Sequence, residues 1–237
     1  MKCSRGYAVI SGPLRVGTRA RQRSFQTENP LRSSQREKCS MKIAAFQPLS
    51  LNEYPGHLSS IVFTQGCNFK CDFCHNPELK QTAFKATLLR KKLLTEDAIV
   101  DDLIRLSGKV DAVTVTGGEP LIQKGLLSFM GRLKRMGFKV KLNTNGSVFN
   151  VLSSIVDKGF VDLINMDIKA PQEKYKEACG GAAIDIDDIE NSISLIRNCG
   201  IDYIFSTVLH DGLSNKDISH IREWVGSDNL ELRENLI

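Results

Sequence analysis

Cys67-Asn68-Phe69-Lys70-Cys71-Asp72-Phe73-Cys74 places three cysteines within eight residues, with the spacing C-x3-C-x2-C. Thiolates this close in sequence can hold one metal centre from a single loop. Structural zinc sites use four ligands, often as two C-x2-C pairs, and no nearby pair supplies a fourth ligand here. A four-iron cluster on three thiolates keeps one iron open, as a catalytic centre requires. The alternatives are a one-sided zinc knuckle and a chance grouping.

The composition is that of a globular protein in a reducing setting. The chain has 237 residues, of which 41% are hydrophobic, an ordinary share. No apolar run approaches the ~20 residues that a transmembrane helix needs. The seven cysteines are too few and too clustered for a disulfide scaffold. We therefore expect a cytoplasmic protein with no membrane partner.

The positive charge of the chain is concentrated in its first 40 residues. They carry nine Lys and Arg residues against Glu28 and Glu37, a net charge of +7. The whole chain has a net charge of +5, so residues 41–237 carry a net charge of −2. A body this close to neutral gives no electrostatic argument for a nucleic-acid partner. We expect none.

The first 40 residues are rich in Arg and Ser and show little apolar periodicity. Organellar transit peptides have a similar composition, and a basic arm for nucleic acid is a second alternative. We predict instead that residues 1–40 are a disordered basic extension, translated from a start upstream of Met41. Residues 41–237 then form one domain.

From Lys42 onward, short apolar strands alternate with amphipathic helices. The predicted strands are 61–63, 112–116, 139–142, 163–168, 203–209 and 230–232. The predicted helices are 95–106, 126–137, 150–158, 186–200 and 215–225. Such alternation implies parallel strands joined by right-handed crossover helices. Six units predict an α/β fold, a partial (β/α)6 barrel; a doubly wound open sheet is the competing architecture.

Polar or glycine-rich motifs follow each of the first four predicted strands. The cysteine loop follows the first, Gly117-Gly118-Glu119-Pro120 the second, Asn143-Thr144-Asn145 the third, and Asp167-Ile168-Lys169 ends the fourth. In parallel α/β folds the carboxyl ends of the strands lie on one rim, where loops build active sites. We therefore expect these motifs to converge, which favours a catalytic role for the cysteine loop.

Each motif also has a plainer interpretation. Gly117 and Gly118 let the backbone approach a ligand closely, but such a stretch also makes a tight turn. The amide and hydroxyl groups of 143–145 could bind ribose or carboxylate oxygens, or form a polar turn. Asp167 and Lys169 could be a surface ion pair. Cys179 and Cys199 lack pair spacing, and we expect them to be buried structural thiols.

The C-x3-C-x2-C motif resembles the signature of the radical S-adenosylmethionine (SAM) enzymes. His75-Asn76-Pro77 and Tyr54-Pro55-Gly56 resemble the activating enzymes of glycyl radical enzymes. Within them, the chain is most similar to the anaerobic ribonucleoside-triphosphate reductase activating proteins, near the pyruvate formate-lyase activating enzymes. The resemblance covers roughly residues 43 to 226.

This resemblance implies a radical SAM barrel with two cofactors, a [4Fe-4S] cluster and SAM. Cys67, Cys71 and Cys74 would be the catalytic cluster ligands. Phe73 and His75 flank the last cysteine, in a stretch whose backbone contacts adenine in the family.

The resemblance also implies the remaining SAM contacts. Gly117, Gly118 and Glu119 match a motif that contacts the methionyl amino group. Asn143, Thr144 and Asn145 match a motif that usually begins with Asp, so Asn143 departs from the family and puts a bound monovalent cation in doubt. Asp167 and Lys169 match a family motif for SAM or substrate. His220 resembles a histidine near the adenosyl group.

The implied function is generation of a glycyl radical on a partner enzyme under anaerobic conditions. SAM would be cleaved to methionine and a 5′-deoxyadenosyl radical, which takes a hydrogen from the Cα of one glycine. The partners would be a glycyl radical enzyme and an electron donor of the flavodoxin or ferredoxin type. The alternatives are a radical SAM enzyme acting on a small molecule or RNA, and a non-catalytic iron–sulfur or zinc module.

Overall fold

The computed structural model of the chain describes residues 40–80, 94–226 and 229–234. The predicted N-terminal extension lies outside these residues, apart from Ser40. Its disorder therefore stays a prediction.

Seven strands form one sheet, in which their order in space is their order in the sequence. Its strands are β1 (Ile43–Ser50), β2 (Ser59–Thr64), β3 (Ala112–Gly117), β4 (Lys139–Thr144), β5 (Leu163–Asp167), β6 (Asp202–Val208) and β7 (Leu230–Arg233). Strand β1 runs antiparallel to β2, and every later pair is parallel. The predicted α/β fold with six parallel strands is confirmed, and β1 is an additional strand.

The strand order distinguishes the two predicted architectures. A doubly wound sheet reverses its order at a switch point. Here every crossover advances to the next strand in the same direction, which curls the sheet one way. In the described parts of the chain, β7 does not pair with β1, so the sheet is open. The architecture is a partial barrel.

Helices cover the outer face of this sheet. They are α1 (Glu96–Arg105), α2 (Leu126–Arg135), α3 (Phe149–Asp157), α4 (Tyr175–Ala178), α5 (Ile186–Asn198) and α6 (Asn215–Val225). Helix α1 begins where the Thr95 hydroxyl accepts a hydrogen bond from Ala98 N, and α6 begins with a capping box between Ser214 and Asp217. None of the described helices is long and apolar enough to cross a membrane.

Strands β3 and β4 alternate between an apolar outer face and a largely polar inner face. In β3, Val113 and Val115 belong to the core under the helices, whereas Thr116 lines the interior of the barrel. In β4, Val140 and Leu142 likewise belong to this core. Because successive side chains point to opposite faces of a strand, the intervening positions face inward. The inner faces of β3 and β4 are therefore polar at the cavity, unlike the apolar filling of an eight-stranded barrel.

The loop between β1 and β2 closes the amino-terminal end of this interior. Tyr54 is buried and packs with Ala112 and Leu163, at the starts of β3 and β5. The Lys141 ammonium donates to the Glu53 carbonyl oxygen over 2.5 Å and lies 3.2 Å from its carboxylate. This closed end leaves the carboxyl ends of the strands as the rim that builds the site.

Candidate active site

A cavity of about 250 Å³ opens at the carboxyl ends of the strands. Its lining includes Cys67, Cys71, Cys74, Gly117, Gly118, Glu119, Asn143, Thr144, Asn145, Asp167 and Lys169. The structure thus brings the four motifs together around one space. Phe73 and His75 also line it.

The cysteine loop is held by its backbone and by one aromatic anchor. Phe69 is 2% exposed, and its ring lies edge-on to Tyr175. Lys70 N donates to the Cys179 carbonyl oxygen over 3.0 Å, and the Lys80 ammonium donates to the Cys71 carbonyl oxygen over 2.8 Å. These contacts fix the loop backbone while leaving the three cysteine side chains at the cavity.

The three cysteines have different environments. Burial raises the pKa of Cys67 to about 11, aided by the nearby Glu119 carboxylate and opposed by a hydrogen bond from Phe69 N. The Cys179 thiol donates to the Cys71 sulfur and lowers the pKa of Cys71 to about 7, against the effect of burial. Cys71 is therefore the more readily ionised of the two, and ionisation is what metal binding requires.

This donor set fits an iron–sulfur cluster better than a single ion. Among the described residues, no three His, Cys, Asp or Glu side chains come together closely enough to hold one metal ion. In a cluster each thiolate binds its own iron, so the sulfurs need not converge on one point. Cys179 is buried behind Cys71, outside the cavity lining. Three cavity-facing thiols suit a cluster with one open iron.

Glu119 connects two of the rim motifs. Its carboxylate accepts hydrogen bonds from Leu121 N at 2.9 Å, from the Thr144 hydroxyl at 2.7 Å and from Asn145 N at 2.8 Å. Burial nevertheless raises its pKa to about 7. A buried carboxylate near half-ionisation at neutral pH is suited to a cationic ligand, which would favour its charged form.

Gly117 and Gly118 are required by the neighbouring strand. A Cβ on Gly118 would lie 2.0 Å from the carbonyl oxygen of Gly66, and one on Gly117 would lie 2.3 Å from Thr64 N. The close approach lets Gly118 N and Glu119 N donate to the Thr64 and Gly66 carbonyls, over 2.9 and 2.8 Å. The glycines thus join the Gly117-Gly118-Glu119 motif (the GGE motif) to the start of the cysteine loop.

Thr144 and Asn145 are engaged by protein partners. The Asn145 side chain donates to Asn68 Oδ1 over 3.1 Å and accepts from Ser147, which ties β4 to the cysteine loop. Asn143 donates to the Glu53 carboxylate over 2.8 Å, while its Oδ1 has no partner among the described residues. Of the three predicted SAM contacts in this motif, Asn143 is the one with an unused polar atom.

Asp167 and Lys169 form an ion pair inside the cavity, not on the surface. Lys169 Nζ lies 3.2 Å from Asp167 Oδ2, and Ser206 donates to Asp167 Oδ1. Burial opposes both charges, but the pairing outweighs it, so the pKa of Asp167 is lowered and that of Lys169 is raised. The pair stays charged at neutral pH.

His220 is not brought to the cavity. It lies on α6, its side chain is 41% exposed, and its Nδ1 lies 3.1 Å from the Glu173 carboxylate. His210 instead stacks on Phe73, with ring centroids 3.9 Å apart. Cys199 is half-buried at the end of α5, so the expectation of burial holds for Cys179 alone.

Several cavity residues were not identified from the sequence, namely Glu53, Asn165, Lys80 and Arg233. Asn165 could have been identified from the sequence, because it is a polar residue within an apolar strand, at a position whose side chain faces the interior. Glu53 carries none, because it reaches the cavity only through the folding of the β1–β2 loop.

The chain matches the family described as the Radical SAM superfamily over residues 61–225. It is 31% identical over 189 residues to a putative glycyl-radical enzyme activating enzyme of Methanocaldococcus jannaschii, covering 77% of this chain and 75% of that protein. It is 28% identical to the pyruvate formate-lyase-activating enzyme of Clostridium pasteurianum, over 68% of this chain and 65% of the relative.

A relative with a different name also matches. The chain is 27% identical to a probable GTP 3′,8-cyclase of Thermococcus kodakarensis, over 64% of this chain but only 48% of the relative. Among solved structures, SuiB of Streptococcus suis bound to its precursor peptide SuiA superposes with a TM-score of 0.57 at 11% identity. That match covers 74% of this chain and 38% of SuiB, and it concerns the fold alone.

Proposed function

Because this chain belongs to the radical SAM superfamily, we propose that it is an activating enzyme that generates a glycyl radical on a partner enzyme. The superfamily uses a [4Fe-4S] cluster and SAM. The observation that carries the finer proposal is the 31% identity, over three quarters of both chains, to a relative named as a glycyl-radical enzyme activating enzyme.

The residues at the cavity fit both cofactors. Cys67, Cys71 and Cys74 would hold the cluster, and Glu119 would bind the methionyl ammonium of SAM. When bound, the two cofactors supply a one-electron cleavage that yields a 5′-deoxyadenosyl radical. The electron would come from a flavodoxin- or ferredoxin-type donor.

The chain itself supplies orientation and enclosure. Glu119, Thr144 and Asn145 connect the ends of β3 and β4, and Asn145 connects them to Asn68 in the cysteine loop. The β1–β2 loop closes the opposite end of the barrel. A substrate must therefore arrive from the rim or the open side, where an open barrel can admit a polypeptide loop.

The partner we propose is an anaerobic ribonucleoside-triphosphate reductase. The hydrogen atom lost from its glycine Cα would end on 5′-deoxyadenosine, one per SAM consumed. The test is anaerobic incubation of the reconstituted enzyme with SAM, a reductant and that reductase. We expect a glycyl radical signal by electron paramagnetic resonance, absent when the target glycine of the reductase is changed to Ala.

Action on a nucleotide is the second candidate, favoured by the cyclase relative. A triphosphate requires unpaired cations. Of the three Lys and Arg residues that line the cavity, Lys169 is paired with Asp167 and Arg233 with Glu231, which leaves Lys80, whose ammonium donates to the Cys71 carbonyl oxygen, as the one without a carboxylate partner among the described residues. If GTP is consumed with SAM and no reductase radical forms, the nucleotide function replaces our proposal.

A further inference from the structure

Asn165 is a buried amide without a partner. It lies in the middle of β5, is 1% exposed and lines the cavity. Neither its Nδ2 nor its Oδ1 has a hydrogen-bond partner among the residues that the structure describes. Nearly all buried polar groups in proteins are paired, and an unpaired one costs roughly 1–3 kcal/mol. The amide is therefore positioned for something that enters the cavity.

A second amide lies beside it. Asn143 on β4 is in register with Asn165 on β5. The Asn143 amino group donates to Glu53 and to Thr116, whereas its Oδ1 has no described partner. The two side chains together offer one donor group and two acceptor oxygens to a ligand. The unused polar atoms thus belong to neighbouring strands and face one space.

The charges around these amides are balanced. Glu53 lies 3.2 Å from the Lys141 ammonium, and Asp167 lies 3.2 Å from the Lys169 ammonium. Each of these two carboxylates is thus matched by a cation, although Lys141 itself does not line the cavity. A neutral ligand with both donors and acceptors suits such a surface better than an anion does.

We propose that Asn165 binds a main-chain amide of the substrate polypeptide. Its Nδ2 donates to a peptide carbonyl oxygen and its Oδ1 accepts from a peptide N–H, whereas the Asn143 Oδ1 beside it remains for SAM. A glycine at the target position lets the peptide backbone approach these side chains, because it has no Cβ. The inference rests on the proposed function, in that the substrate is a polypeptide.

The test compares Asn165→Leu with the matched variant Thr114→Val. Thr114 is also buried, and its hydroxyl has no described partner, but it does not line the cavity. Neither substitution removes a hydrogen bond within the protein, so both variants should unfold at or above the wild-type temperature. The full chain, with cluster and SAM bound, is titrated with the neutral peptide acetyl-Ala-Ala-Gly-Ala-Ala-amide by ligand-observed NMR.

We expect the wild type and Thr114→Val to bind the peptide equally. Asn165→Leu should bind it about ten- to hundredfold more weakly, the effect of two neutral hydrogen bonds. Absence of peptide binding by the wild type, or equal binding by Asn165→Leu, overturns the proposal. Binding of GTP in place of the peptide, weakened by Asn165→Leu, would overturn the proposal and assign Asn165 to a nucleotide.

This binding measurement is separate from the test of the proposed function. If the reductase radical forms but Asn165→Leu leaves peptide affinity unchanged, the assignment of Asn165 is wrong and the function stands. If the peptide binds through Asn165 but no glycyl radical forms, the function is wrong and the peptide site stands.

Discussion

The Glu119 carboxylate accepts a hydrogen bond from the Thr144 hydroxyl over 2.7 Å, which joins the end of β3 to the end of β4. The same carboxylate accepts from Asn145 N, and Asn145 holds Asn68 within the cysteine loop. The side chain proposed to bind the methionyl ammonium thus also aligns the loop that would hold the cluster. Glu119 would thus link the proposed cluster site to the proposed SAM site.

Glu119→Gln should weaken SAM binding by about ten- to hundredfold, since a charge-assisted hydrogen bond contributes roughly 1.5–3 kcal/mol. The cluster should remain, because no cysteine is changed. Isothermal titration with SAM measures the effect. Thr144→Val is the control: it removes the two hydrogen bonds of the Thr144 hydroxyl, to Glu119 and from Gly146 N, but keeps the carboxylate, so it should lose much less affinity. Equal SAM affinities for Glu119→Gln and the wild type would contradict this role and favour the alternative that Glu119 only forms the turn.

SAM affinity should rise with pH through about 7, where Glu119 ionises in the folded protein. The ammonium of SAM pairs with the charged carboxylate, so protonation of Glu119 below that pH opposes binding. Glu119→Gln should flatten this part of the profile. A wild-type profile that is flat between pH 6 and 8 would contradict the elevated pKa (both pH values are about one unit from it).

Ionisation of Glu119 also affects the stability of the fold. Its effect on the pH dependence of the unfolding free energy is opposite to that of most carboxylates, whose pKa falls on folding. Its folded pKa of about 7 exceeds the ordinary value of 4.5, so the folded protein binds the proton more tightly than the unfolded chain does. Its contribution to stability is therefore present below about pH 4.5 and is lost as pH rises towards 7. The difference in unfolding free energy between wild type and Glu119→Gln, measured in urea across this range, should fall as pH rises.

Changing Cys67, Cys71 or Cys74 to Ala should each abolish cluster absorbance and SAM cleavage, because three thiolates leave no spare ligand. Cys179→Ala is the matched control. It removes the thiol that lowers the pKa of Cys71, yet the reconstituted protein should retain about four irons. Loss of iron from Cys179→Ala would make Cys179 a ligand.

Gly118→Ala should destabilise the protein by about 3 kcal/mol or more, because its Cβ would overlap the Gly66 carbonyl oxygen. Gly137 provides the comparison, since a Cβ there meets nothing within 4 Å and only its positive φ of 88° opposes a side chain, whereas Gly118 is not among the positive-φ glycines. Gly137→Ala should cost only about 1–2 kcal/mol, the penalty of a left-handed backbone. Similar unfolding free energies for the two variants would show that β2 and β3 can separate without cost.

Regular alternation made much of the fold predictable. The six predicted strands lie within a few residues of β2–β7, because each is a short apolar run between helices with buried faces. Strand β1 was missed: it carries Pro48, which interrupts a strand pattern and is tolerated only at an edge or a bulge. Its pairing with β2 also shifts register twice, between Ile43 and Ala45 and between Gln47 and Ser50.

The site was predictable where its residues follow strand ends and hidden where tertiary contacts create it. The rim motifs converge because parallel strands share one carboxyl edge. Gly117 and Gly118 line the cavity, and their contact with a ligand stays a prediction; the packing of Gly118 on Gly66 was not expected from the sequence. Asn165 faces the cavity because the sheet curls, and Glu53 arrives from a loop at the other end of the barrel.

Deuterium transfer tests the central claim most directly. Anaerobic ribonucleoside-triphosphate reductase is prepared with α,α-dideuterated glycine and incubated anaerobically with the reconstituted enzyme, SAM and a reductant. We predict 5′-deoxyadenosine carrying one deuterium, detected by mass spectrometry, and none with unlabelled reductase. Undeuterated 5′-deoxyadenosine alone, formed at the same rate with and without the reductase, would contradict the claim that this chain activates that enzyme.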